Sequence, residues 1–79
     1  MAKRRVHLTL PGTLADEPIM WHLARDFGII FNIRQADMEE GNGWMMLQLE
    51  GDEEALERGI RWMEGKGIRV APIEQDVLQ

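Results

Sequence analysis

Seventy-nine residues suffice for one hydrophobic core, since single cores occupy roughly 50–200 residues. With 44% hydrophobic and 29% charged residues, the composition is that of a folded chain and not of a disordered one. A net charge of −5 is the wrong sign for general phosphate-backbone binding, and the absence of Cys removes disulfides, thiolate catalysis and iron–sulfur ligation together.

The start, Met1-Ala2-Lys3-Arg4-Arg5, has the basic character of a signal-peptide leader. The residues after it alternate instead of running apolar, so they read as a strand. Val6, Leu8 and Leu10 face one way and Arg5, His7 and Thr9 the other, with Pro11-Gly12 closing the segment. Asp16 and Glu17 before Pro18 mark a helix start, where acidic groups and the fixed φ of proline suit the first turn. Ile19, Leu23 and Phe27 form its buried stripe, with Met20 and Ala24 beside them. Gly28 supplies the left-handed residue that ends it.

Ile29, Phe31 and Ile33 return to period 2, leaving Ile30, Asn32 and Arg34 on the other face. This strand is expected to fray or bulge through Gln35-Ala36-Asp37-Met38. The turn-forming run Glu39-Glu40-Gly41-Asn42-Gly43 then predicts a hairpin. On the returning strand Met45, Leu47 and Leu49 point inward, and Trp44, Met46 and Gln48 outward. Asp52 reads as an N-cap with Glu53 and Glu54 in the first turn of a second helix. Leu56, Ile60 and Met63 form its stripe, and Gly59 suggests a close approach of the helix backbone to the sheet. Gly65-Lys66-Gly67 ends that helix, and Ile68, Val70 and Pro72 form a last strand whose proline suits an edge.

The order β-α-β-β-α-β predicts a single α+β domain over residues 1–79. Its fold class is the ferredoxin-like sandwich, a four-stranded antiparallel sheet with two helices on one face. No stretch reaches the ~20 apolar residues that span a bilayer, so a cytoplasmic, soluble chain without membrane insertion is expected. The helix-free face of the sheet then carries Arg5, His7, Thr9, Ile30, Asn32, Arg34, Trp44, Met46, Gln48, Arg69 and Ala71. Ile30, Trp44 and Met46 interrupt its polarity and form a candidate interface.

Catalytic chemistry finds little support. The chain has no Ser, Cys or Tyr, and neither His7 nor His22 sits in a motif with an acid. His22 and Asp26 are four apart on one helix, a spacing compatible with a shared metal or an ion pair, and they read as an ion pair or as solvated side chains rather than metal ligands. The glycine runs Gly41-Asn42-Gly43 and Gly65-Lys66-Gly67 match no phosphate loop. The expectation is a non-enzymatic domain without cofactor or metal. Nucleic-acid binding is disfavoured because the chain is acidic and its central strands lack an RNP-like motif.

A run of segments from about Arg5 to Ile73 resembles the NIL domain: Val6-His7-Leu8-Thr9-Leu10-Pro11-Gly12, Glu17-Pro18-Ile19, Leu23-Ala24-Arg25, Phe27-Gly28-Ile29, Asn32-Ile33, Leu49-Glu50-Gly51 and Gly67-Ile68-Arg69-Val70. The NIL domain is an ACT-like regulatory domain found at the C-terminus of methionine-import ABC ATPases. The resemblance implies a homodimer that binds a small amino acid such as methionine and passes its presence to a protein partner, a transporter or another complex. It places Asn32 at the family's asparagine, whereas Arg34 stands where the family usually has Leu. Met46, Ile30 and Met38 are candidates to line an apolar slot, with Asn32 and Arg34 as polar contacts. These residues contain no ATPase domain, so any regulation is expected to act in trans. The alternative is a protein-interaction module without a small ligand, using Trp44, Met46 and a sheet edge.

Overall fold

The computed structural model describes residues 1–12, 17–39 and 42–73. Asp16 and the central turn residues Glu40 and Gly41 lie outside the described residues. The elements are β1 (Ala2–Pro11), α1 (Ile19–Phe27), β2 (Ile30–Glu39), β3 (Asn42–Gly51), α2 (Glu53–Gly65) and β4 (Arg69–Pro72). The strands form one antiparallel sheet in the order β2-β3-β1-β4. This is the ferredoxin-like arrangement that the alternation predicts.

The core follows the parity of the strands. Val6, Leu8 and Leu10 of β1 stand opposite Leu47, Met45 and Gly43 of β3, and these residues face the helices. Ile19 and Leu23 of α1 and Leu56 and Met63 of α2 close over them, with Ile29 and Ile68 at the strand entrances. All of these apart from the half-buried Met45 and the buried Gly43 belong to one buried apolar cluster. Each fully buried leucine contributes about 1.5–3 kcal/mol.

The helix boundaries have identifiable causes. Gly28 adopts φ 67°, and the Ile29 N–H donates to the Leu23 carbonyl at 3.2 Å, so the left-handed residue turns the chain from α1 toward β2. Gly67, at φ 97°, does the same after α2. Pro18 flanks α1 and does not enter its first turn, and Glu17 lies outside the helix. Asp52 occupies the N-cap position in extended backbone, but its side chain makes no capping hydrogen bond; Glu53 and Glu54 supply the favourable charge there.

Of its two expected irregularities, fraying or a bulge, the second strand shows the bulge, just before the expected Gln35–Met38 stretch. It does not fray: β2 stays paired with β3 as far as Glu39 opposite Asn42. The irregularity is confined to a bulge at Arg34, between Ile33 opposite Leu47 and Gln35 opposite Met46. One extra residue reverses the parity downstream. Ala36 and Met38 therefore face the helix side, and Gln35 and Asp37 face the open side. Ile33 points to the helix side as expected, yet it is 47% exposed. The nine residues of α1 reach only ~14 Å, against ~33 Å for ten strand residues, and β2 is an edge strand. The far end of the hairpin thus projects beyond the helical layer.

Candidate functional site on the open sheet face

The strand register assembles the open face rung by rung. Asn32 lies opposite Gln48, which in turn lies opposite Arg5 on β1. On the next rungs toward the hairpin tip Met46 stands between Gln35 and His7, and Trp44 between Asp37 and Thr9. In the other direction Ile30 faces Glu50, whose carboxylate accepts a hydrogen bond from Gln48 Nε2 at 3.4 Å.

Four of the five anticipated ligand residues therefore fall on or beside one patch. Asn32 is exposed, Met46 is half-buried, and Ile30 is 56% exposed on the same face. Arg34 occupies the bulge and has no ladder partner, so it flanks the patch instead of continuing the Asn32 row. Met38 is not part of it. The bulge turns Met38 to the helix side, where its Sδ would lie 2.5 Å from a β-carbon built at Gly43. It cannot share a slot with Met46, which is on the opposite face.

Trp44 does not project from the face. Its ring stacks on His7, with centroids 5.4 Å apart and an interplanar angle of 15°, and it is half-buried. The pair occupies one end of the face beside Thr9, Asp37 and Glu39, around a cavity of about 300 Å³. Asp37 joins this group only because of the bulge, which a strict period-2 reading does not anticipate. Gln48 and Glu50 are further polar contributors near Asn32. Their signal in the sequence is the outward parity of β3, shared with Trp44 and Met46.

Away from the open face, His22 Nδ1 and Asp26 Oδ2 lie 3.2 Å apart, a hydrogen-bonding contact that their spacing allows. His22 also leans on Trp21 and Trp62, and Phe27 packs against Trp62 at 5.8 Å between centroids. Among the described residues no three His, Asp or Glu side chains are grouped to hold a metal ion, and no helix is long and apolar enough to cross a membrane.

Comparison with known proteins agrees with this architecture. The chain is 27% identical over 74 residues to the methionine import ATP-binding protein MetN of Bacillus subtilis (strain 168). That match covers 89% of this chain and 22% of the relative's length, so the chain spans about a fifth of that protein. In fold it is similar to the C-terminal domain of an ABC transporter ATP-binding protein from Enterococcus faecalis, with a TM-score of 0.79 at 22% identity over 92% of this chain and 86% of the other. The de novo designed protein Foldit4 is more distant, with a TM-score of 0.53 at 7% identity, covering 94% of this chain and 97% of its own. The pattern of the NIL domain matches residues 4–72, and the chain belongs to the NIL domain family.

Proposed function

We propose that this NIL domain is a non-enzymatic, cytoplasmic regulatory domain that binds a small amino acid, methionine by preference, and transmits its presence to a transporter-type protein partner. Family membership and the similarity to a methionine import ATP-binding protein support the ligand class. The observation that carries the site is the pairing of Asn32 with Gln48 on the open face, beside half-buried Met46 and exposed Ile30. The two amides offer donors and acceptors for a ligand carboxylate, and Arg34 adds a cation beside them. The Glu50 carboxylate, next to Gln48, is the partner for an ammonium group. Met46 and Ile30 provide the apolar surface for a thioether. Thermal unfolding with a panel of amino acids tests this reading. A bound ligand raises stability by about 2.7 kcal/mol at one hundred times Kd. If no amino acid at millimolar concentration moves the midpoint, the sensing reading fails and the protein-interaction module takes its place.

The domain acts as a homodimer in this reading, and the surface we assign to the contact is the outer edge of β2. That strand is ten residues long, lies at the sheet margin and exposes Ile33 and Met38 on one side and Ile30 on the other. An unpaired edge with apolar flanks is suited to strand addition by a second copy.

A further inference from the structure

The bulge at Arg34 changes the chemistry at the hairpin end of the open face. With the parity of β2 reversed, Asp37 stands directly across from Trp44, and Glu39 follows two residues later on the same face. On the other side of Trp44, Thr9 is its partner on β1, and His7 stacks on the indole at 5.4 Å between centroids. All five side chains belong to one face of three adjacent strands. With the backbone of Gly43 they line the cavity of about 300 Å³. Asp37 and Glu39 form no ion pair among the described residues, and the remaining residues of the chain include no Lys, Arg or His. Arg69, across Thr9 on β4, and Arg34, in the bulge, lie outside the lining.

Two carboxylates beside an aromatic ring set both the charge and the shape of a fitting ligand. We infer that this cavity binds an alkylguanidinium group, carried by a free small molecule or by an arginine side chain of a partner. A guanidinium is planar and weakly hydrated; its donor fork matches a carboxylate while its flat face lies on an indole. Such a cation gains most where it is partly desolvated, as beside half-buried Trp44 in a concave site. The same chain shows the contact elsewhere, with the Arg25 guanidinium 4.8 Å from the centroid of Trp21. An ammonium group is more strongly hydrated and offers no planar fork. A metal ion would leave the indole unused, and among the described residues no three His, Asp or Glu side chains are grouped to hold one. The volume lies at the lower end of ligand sites, which suits this group on a short alkyl chain.

Titration of the whole chain with butylguanidinium, followed by NMR at about 0.15 M salt to screen diffuse attraction, tests the inference. The expected result is saturable shifts at millimolar ligand in the Trp44 indole N–H and the backbone amides of Thr9, Asp37 and Glu39. Butylurea, which keeps the shape without the charge, should bind at least tenfold more weakly. The double variant Asp37→Asn, Glu39→Gln changes two exposed side chains and should lower butylguanidinium affinity at least tenfold with far-UV circular dichroism unchanged. Trp44→Leu should weaken it severalfold. An arginine flanked by glycines in a blocked tripeptide separates the two sources: binding as tight as butylguanidinium assigns the cavity to a partner's arginine, and exclusion of the tripeptide assigns it to a free ligand. Equal binding of butylurea, full affinity in the double variant, or the absence of saturable shifts at this end of the face would each overturn the inference. It uses none of the residues assigned to the amino-acid ligand, so neither result decides whether methionine raises the unfolding midpoint.

Discussion

Ile29 occupies the space that a side chain at Gly59 would need: a β-carbon built on that glycine would lie 2.6 Å from Ile29 Cδ1 and 3.3 Å from Leu23 Cδ2. The close approach expected of Gly59 is therefore real, but the neighbours are α1 and the entrance to β2, not the centre of the sheet. Gly59→Ala gains about 1 kcal/mol of helix propensity. Against that, overpacking a core typically costs about 1–3 kcal/mol. Ile29 and Leu23 are buried and have little room to yield. The expected net effect is destabilisation by about 1 kcal/mol in denaturant unfolding. Adding Ile29→Val, which deletes the obstructing methyl, should recover most of that loss, although Ile→Val alone typically costs about 0.5–1.5 kcal/mol. Additive behaviour of the two substitutions would remove this steric account.

The same kind of local evidence explains which parts of the fold were legible from residues alone. The strands β1 and β3 read correctly because unbroken alternation maps directly onto two faces, and the glycines at 28 and 67 mark the helix ends they are found to make. A bulge or fraying is expected from Gln35 onward, but its position at Arg34 is not legible, since an inserted residue has no fixed signature and the apolar pattern of β2 has run out by that point. Misplacing one residue there carried Met38 onto the wrong face and hid Asp37 from the site. The exposure of Ile33 was equally hidden, because it depends on how far a short α1 reaches along a longer β2.

Ile33 and Leu47 are cross-strand partners on the helix side of the sheet, yet Leu47 is 1% exposed and Ile33 47%. Burial, not sheet position, should decide what each contributes. Leu47→Ala is expected to cost about 2–5 kcal/mol of unfolding free energy, because it removes buried methyls and leaves a cavity. Ile33→Ala in the monomer should cost well under about 2 kcal/mol, with half of the side chain already in water. Comparable losses at the two positions, measured by urea unfolding at low protein concentration, would show that the hairpin end is covered in solution.

Association provides the next test. Ile33→Glu and Met38→Glu place a charge on the exposed margin of β2, where strand addition by a second copy would bury it. Both should shift the protein to monomer in sedimentation velocity while leaving far-UV circular dichroism intact. Trp44→Ala and Met46→Glu probe the open face instead. If the contact runs along the β2 edge, these two leave the sedimentation coefficient unchanged; monomerisation by Trp44→Ala alone would move the interface to the open face. Trp44→Ala should also lower stability, since an aromatic stack is worth about 0.5–1.5 kcal/mol beyond its buried area.

Asn32 is the residue on which the sensing reading is most exposed to test. Its side chain is outside the core and opposite Gln48, so Asn32→Ala should leave the unfolding midpoint of the ligand-free domain nearly unchanged; surface substitutions typically stay within about 0.5 kcal/mol. In the presence of methionine the variant should lose most of the midpoint rise that the unaltered domain shows. Truncating one partner of a hydrogen bond to a charged group costs about 1.5–3 kcal/mol, roughly a tenfold to hundredfold weaker Kd. Gln48→Ala should act in the same direction, and the two substitutions together should cost less than the sum if both amides hold the same carboxylate. Met46→Ala, by contrast, should weaken methionine more than it weakens an amino acid with a short side chain, because only the thioether reaches it. A full midpoint rise in Asn32→Ala would separate ligand binding from this face altogether, even with the family relationship intact.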